Sequence, residues 1–103
     1  MVQSLYCAKK YVTSDVIIVY SDIIFDPEII NILIKKNNNC LPLKTNWKKI
    51  WQLRMNKNKI VNDAEDLKLS KKQILSIGGK FKHYPKAQYM GIIKFDYKDF
   101  LIF

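Results

Sequence analysis

The sequence predicts an α/β fold, a mostly parallel mixed sheet covered by helices, and three observations predict it. The unbroken apolar run Val16-Ile-Ile-Val-Tyr20 lacks the alternation of a strand with one wet face, so it reads as a central strand buried on both sides. Across Ser21-Asp22-Ile23-Ile24-Phe25 it leads to Asp26-Pro27-Glu28, a strong helix start with a capping Asp, Pro at the first helical position and an acid in the first turn. A further short strand follows that helix, and the order strand, helix, strand is the pattern of parallel units.

Taken in order, Val2, Leu5, Ala8/Lys9 and Val12 recur every three to four residues, which predicts a short amphipathic helix ending near Thr13. Asp15 opens the central strand. The helix from Pro27 runs to about Lys36, and its closing lysines and Asn37-Asn38-Asn39 suit the negative end of a helix dipole and a left-handed cap. Cys40-Leu-Pro-Leu-Lys44 reads as a short strand that Pro42 confines to an edge. Asn46 then caps a helix carrying Trp47, Ile50, Trp51 and Arg54 on one face, at i, i+3, i+4 and i+7. Asn56 to Asn62 is polar and reads as a loop. Leu67 to Ile77 reads as a strand pair closed by Gly78-Gly79, Gln88 to Phe95 as one strand, and Asp96 to Phe100 as a helix start.

The 103 residues suffice for one domain, 1–103, and exclude a two-domain enzyme. With 49% hydrophobic and 13% aromatic residues the chain can close a core, which argues against disorder. No apolar stretch approaches the roughly 18 residues of a membrane span. The first residues lack the basic start and long apolar centre of a signal peptide, so a cytoplasmic location is expected.

A formal charge of +9 suggests phosphate-rich partners. Yet of the 18 cations only Arg54 is an arginine, and the lysines are spread evenly instead of forming one stripe. Base reading and bidentate phosphate recognition favour the guanidinium fork, so a solvated lysine surface is preferred over a nucleic-acid patch, with a small phosphorylated ligand as the third alternative. Cys7 and Cys40 form no CxxC pair, and His83 is the single histidine, which excludes a histidine triad and a multi-His metal site within this chain.

Ligands of α/β sheets sit beyond the carboxyl ends of strands, where Asp22 stands. A carboxylate there suits Mg²⁺, which takes one or two such oxygens and completes its octahedron with water and substrate phosphates. The alternative is an Asp that merely turns the loop. For the Trp47, Trp51 and Arg54 stripe the alternative is core packing.

The stretches Met1-Val-Gln-Ser-Leu-Tyr-Cys-Ala8, Asp15-Val-Ile-Ile-Val-Tyr-Ser-Asp-Ile-Ile-Phe-Asp26, Trp47-Lys-Lys-Ile-Trp-Gln-Leu-Arg54, Asp63-Ala-Glu65, Ile77-Gly78 and Gln88-Tyr-Met-Gly-Ile-Ile-Lys-Phe95 together resemble the nucleotidyltransferases of the phosphocholine and aminoethylphosphonate cytidylyltransferase type. The resemblance covers the whole chain, in order. It implies a partial Rossmann-like, three-layer nucleotidyltransferase fold, and transfer of a nucleoside monophosphate from CTP or another NTP to a phosphorylated small molecule with loss of pyrophosphate. It also implies that Asp22 holds Mg²⁺. Trp47, Trp51 and Arg54 would lie on the acceptor side, where an aromatic wall suits a choline-like cation. Asp63 and Glu65 would bind an ammonium or hydroxyl, or else counter nearby lysines. Gly91 would allow close backbone approach to a ligand, or mark a strand bulge.

In that family a Gly-rich phosphate loop precedes the matched segment and a second magnesium carboxylate follows it, so the chain is expected to be a middle portion and inactive alone. Two other classes stay open at this point. One is a small basic nucleic-acid-binding domain, suggested by Phe81-Lys-His-Tyr84; the other is a non-catalytic domain whose open sheet edge predicts a homodimer.

Overall fold

The structure, a computed structural model, describes residues 2–102, so Met1, which opens the first stretch of the resemblance, lies outside the described residues. The chain divides into two compact units, Met1–Pro42 with Gly91–Phe103, and Leu43–Met90. The first holds one small sheet and the second two, and the direction of pairing corrects the expectation of a mostly parallel sheet.

In the first unit, helix α1 (Val2–Ala8) and a 3-10 turn (Lys9–Tyr11) precede strand β1 (Val16–Val19). Asp26 caps the next helix as expected, its carboxylate accepting from the Glu28 amide at 2.9 Å, and α2 runs Glu28–Ile34. Only Leu33 of α2 is fully buried. The chain's last strand (Ile92–Phe95) runs antiparallel to β1, pairing Val16 with Phe95 and Val19 with Ile92. Its other side bonds Cys40, with Lys94 N–H to Cys40 O at 2.8 Å and the reverse bond at 3.1 Å. A final helix (Tyr97–Ile102) buries Phe100.

The second unit holds β2 (Leu43–Lys44), helices α3 (Trp47–Gln52) and α4 (Lys57–Asp63), hairpin β3 (Leu67–Ser70) with β4 (Gln73–Ile77), and β5 (Gln88–Tyr89). The strand Ile92–Phe95 is then β6 and the last helix α5. β2 pairs with β5, and β3 with β4, all antiparallel. Asp66 closes the hairpin with its N–H to Gly79 O at 3.1 Å and its O to Gly78 N–H at 2.9 Å. The core is Trp47, Ile60 and Ala64, with Trp51, Met55 and Phe81 packed on it.

The described residues therefore form three two-stranded antiparallel sheets, and the Rossmann-like three-layer arrangement is not formed. A parallel neighbour needs a crossover connection, and β1 pairs only with the strand that returns from the far end of the chain. Nor is β1 covered on both faces: its first three residues are half-buried and Val19 is exposed. Two further expectations change. The loop expected at Asn56 to Asn62 is α4, capped by the Asn56 side chain accepting from Lys59 N–H at 2.9 Å. The single strand expected at Gln88 to Phe95 is interrupted at Gly91, whose φ of 81° lies in the left-handed region.

An ion pair ties the first unit together. Lys94, almost fully buried, meets Asp15 at 3.1 Å and also donates to the Lys36 carbonyl. Asp15 in turn accepts from the Tyr97 N–H at 3.0 Å, at the start of α5. That amide, and then Lys94, hold the Asp15 carboxyl below its ordinary value. A lowered folded-state pKa stabilises the fold above the unfolded value of about 3.9 and is lost as pH falls through the folded value. Urea midpoints of the wild type and Asp15→Asn should thus differ at neutral pH and converge below about pH 4. A constant difference between pH 7 and pH 3 would contradict the contact's charge dependence.

Among the described residues no helix is long and apolar enough to cross a membrane.

Candidate functional site

Asp22 lies in an exposed turn just beyond β1. What fixes the base of that turn is the pairing of β1 with β6, extended by one bond from Tyr20 N–H to Gly91 O at 2.9 Å. The same bond sets Gly91 against the Tyr20 side chain, where a Cβ would stand 3.0 Å from the ring. Within the first unit, Tyr20 at the start of the Asp22 turn is thus joined to Gly91 just before the last strand. The close neighbour of Gly91 is Tyr20, which accounts for the glycine without a ligand.

Asp22 belongs to no larger cluster of metal-ligating side chains: among the described residues no group of three or more His, Cys, Asp or Glu could hold a metal ion. One exposed carboxylate fits Mg²⁺ only as part of a metal–nucleotide complex, in which phosphates and water supply the other positions.

The remaining sequence-predicted residues belong to the second unit. Trp47 and Trp51, one turn apart on α3, meet edge to face with centroids 5.2 Å apart. Trp47 is 2% exposed and its Nε1–H donates to Pro85 O at 3.1 Å, so it is a core residue and offers no wall to a ligand. Trp51 is half-buried against the same core. Arg54 falls beyond the end of α3, exposed in the turn that follows, so the expected four-residue face is cut short. Asp63 ends α4 and Glu65 follows it, both exposed.

Two contacts were not foreseen in the sequence. Gln88, 6% exposed, clamps the backbone of Glu65, accepting from its N–H at 3.2 Å and donating to its carbonyl at 2.7 Å. A glutamine opening an otherwise apolar strand was the available signal. Second, Lys48 Nζ lies 3.6 Å from the centroid of Tyr84, whose ring also neighbours Phe81 at 5.3 Å and Trp47 at 6.2 Å. The aromatic group thus already holds a cation, its own lysine.

Comparison with family models, with curated proteins and with solved structures finds no match.

Proposed function

We propose that the chain takes part in nucleotidyl transfer: a nucleoside monophosphate passes from an NTP, CTP by the resemblance, to a phosphorylated small molecule. A phosphate oxygen of the acceptor forms a bond to the α-phosphorus in line with the departing group, and the α–β bridge breaks to release pyrophosphate. Such a step needs positioning and charge neutralisation more than an acid or base, which agrees with a chain whose one histidine lies in an exposed loop. Mg²⁺, when bound with the nucleotide, supplies charge neutralisation at the phosphates. Asp22 is the residue that would hold it.

What supports this reading is the bond between Tyr20 and Gly91. It ties together two segments remote in sequence, each of which carries part of the resemblance, and leaves the Asp22 carboxylate facing solvent next to them. With Asp22 outside any group of three metal-ligating side chains among the described residues, the expected readout is metal-dependent binding and not turnover. Calorimetric titration with CTP should show binding that requires Mg²⁺ and weakens about tenfold or more in Asp22→Asn, since a charge-assisted contact contributes roughly 1.5–3 kcal/mol. Absence of binding by CTP and ATP alike, or binding that ignores Asp22→Asn, would sink the reading. Oligonucleotide binding that falls steeply with salt would put a nucleic-acid module in its place.

A further inference from the structure

The second unit contains a cavity of about 390 Å³ lined by Lys48, Gln52, Met55, Lys57, Ile60 and Tyr84. We propose that it binds a small organic phosphate: an anionic phosphate head between Lys48 and Lys57, and an apolar body against Met55 and the Tyr84 ring. The proposal does not rest on the nucleotidyl-transfer reading, since it involves neither Asp22 nor Mg²⁺.

The geometry begins with helix spacing. Lys48 and Gln52 are one turn apart on α3 and share a face, as do Lys57 and Ile60 on α4. Trp47 and Trp51, each one residue earlier on α3, turn instead to the core. The cavity therefore has polar groups from both helices beside the half-buried Met55 and the Tyr84 ring.

Its electrostatics are one-sided. None of the six lining residues is acidic, although Asp63, Glu65 and Asp66 all belong to the same unit. Two ammonium groups facing one cavity repel each other, and an anion between them relieves that repulsion. Lys48 is also held in place: the Tyr84 ring, itself packed on Phe81 and Trp47, fixes its ammonium at 3.6 Å. A surface lysine loses side-chain entropy when it grips a phosphate; one already held over a ring loses less. The ring face takes only part of the three N–H donors of Nζ, so donors remain for an anion.

Size separates a small ligand from a polymer. About 390 Å³ lies at the low end of small-molecule pockets, roughly 300–1,000 Å³, whereas single-stranded nucleic acid needs an extended groove with successive stacking faces.

The test is an NMR titration of the full chain, without Mg²⁺, using phenyl phosphate and inorganic phosphate. Phenyl phosphate should saturate at one equivalent, shifting amides of α3, α4 and the Tyr84 loop, with inorganic phosphate binding more weakly at the same place. Lys48→Gln and Lys57→Gln should each weaken phenyl phosphate about tenfold, Lys48→Arg should stay within about threefold, and Asp22→Asn should bind as the wild type. Lys57 is exposed at the start of α4, so Lys57→Gln leaves the core intact and keeps the test valid even if Lys48 variants unfold. Equal affinity for the two phosphates, unchanged affinity in Lys57→Gln, or shifts spread over lysines of the whole chain would overturn the proposal. So would a preference for an oligonucleotide over phenyl phosphate. Loss of CTP binding in the previous experiment would leave this one unaffected.

Discussion

Trp47→Ala is expected to lower the stability of the second unit by about 3–5 kcal/mol, the cost of truncating a large buried aromatic side chain. Domains of this size are stable by only about 5–15 kcal/mol, so the variant should be largely unfolded in low urea. Two contributions combine. The indole is the largest side chain of a core whose other fully buried members are Ile60 and Ala64, and a close-packed interior relaxes only in part around a lost side chain. Its Nε1–H also satisfies the Pro85 carbonyl, a bond that links α3 to the loop before β5. Trp47→Phe separates them: most of the packing stays and the hydrogen bond goes, for an expected loss of about 1–2 kcal/mol. Urea unfolding followed by far-UV circular dichroism and by Trp51 fluorescence reads both. A Trp47→Ala midpoint equal to that of the wild type would mean that this residue lines a site and does not build the core.

That expectation also shows where sequence reasoning reaches its limit. The pattern Trp47, Ile50, Trp51 describes one side of a helix equally well whether that side meets a core or a ligand, because periodicity reports a face and not its neighbour. Local chemistry was legible. Asp26-Pro27-Glu28 starts α2 because a short acidic side chain and a fixed φ act within three residues, and Gly78-Gly79 end β4 because both carry positive φ, whereas the turn of the hairpin itself, at Lys71-Lys72, carried no such sign. The pairing of β1 was not legible. The run of β-branched residues fixes its extended backbone but not which strand lies beside it, and that partner, β6, comes from the opposite end of the chain. α4 was hidden for another reason. Lys57-Asn58-Lys59 masks a helix whose only buried residue is Ile60, so no apolar stripe marks it, and the capping Asn56 was the one local sign. Of the candidate site, Asp22 at the end of a strand was legible from position alone. The contact between Tyr20 and Gly91 that anchors its turn depends on the same long-range pairing, and could not be read before it.

Gly91→Ala should cost the first unit stability in two separable parts. The residue holds φ at 81°, which for a residue with a Cβ costs about 1–2 kcal/mol. The added Cβ would also stand 3.0 Å from Tyr20 Cδ2, 3.2 Å from Cγ and 3.3 Å from Cβ. Because the close contact reaches back to the Tyr20 Cβ, swinging the ring aside does not clear it; the backbone beyond β1 must shift by a few tenths of an ångström as well. Overpacking of that kind costs about 1–3 kcal/mol. In a Tyr20→Ala background the two ring contacts go while the Cβ contact and the left-handed φ remain, so Gly91→Ala should there cost less, though still at least the first part. A double-mutant cycle measured by urea unfolding supplies both numbers, and a coupling near zero would show that Tyr20 yields freely and the glycine is kept for its φ alone. The cycle also bears on the proposed function. The end of β1 from which the Asp22 turn departs is held by the bond from Tyr20 N–H to Gly91 O. If the backbone there shifts in Gly91→Ala, magnesium-dependent CTP binding should weaken although Asp22 itself is untouched, and removal of the Tyr20 ring in the double variant should restore part of it.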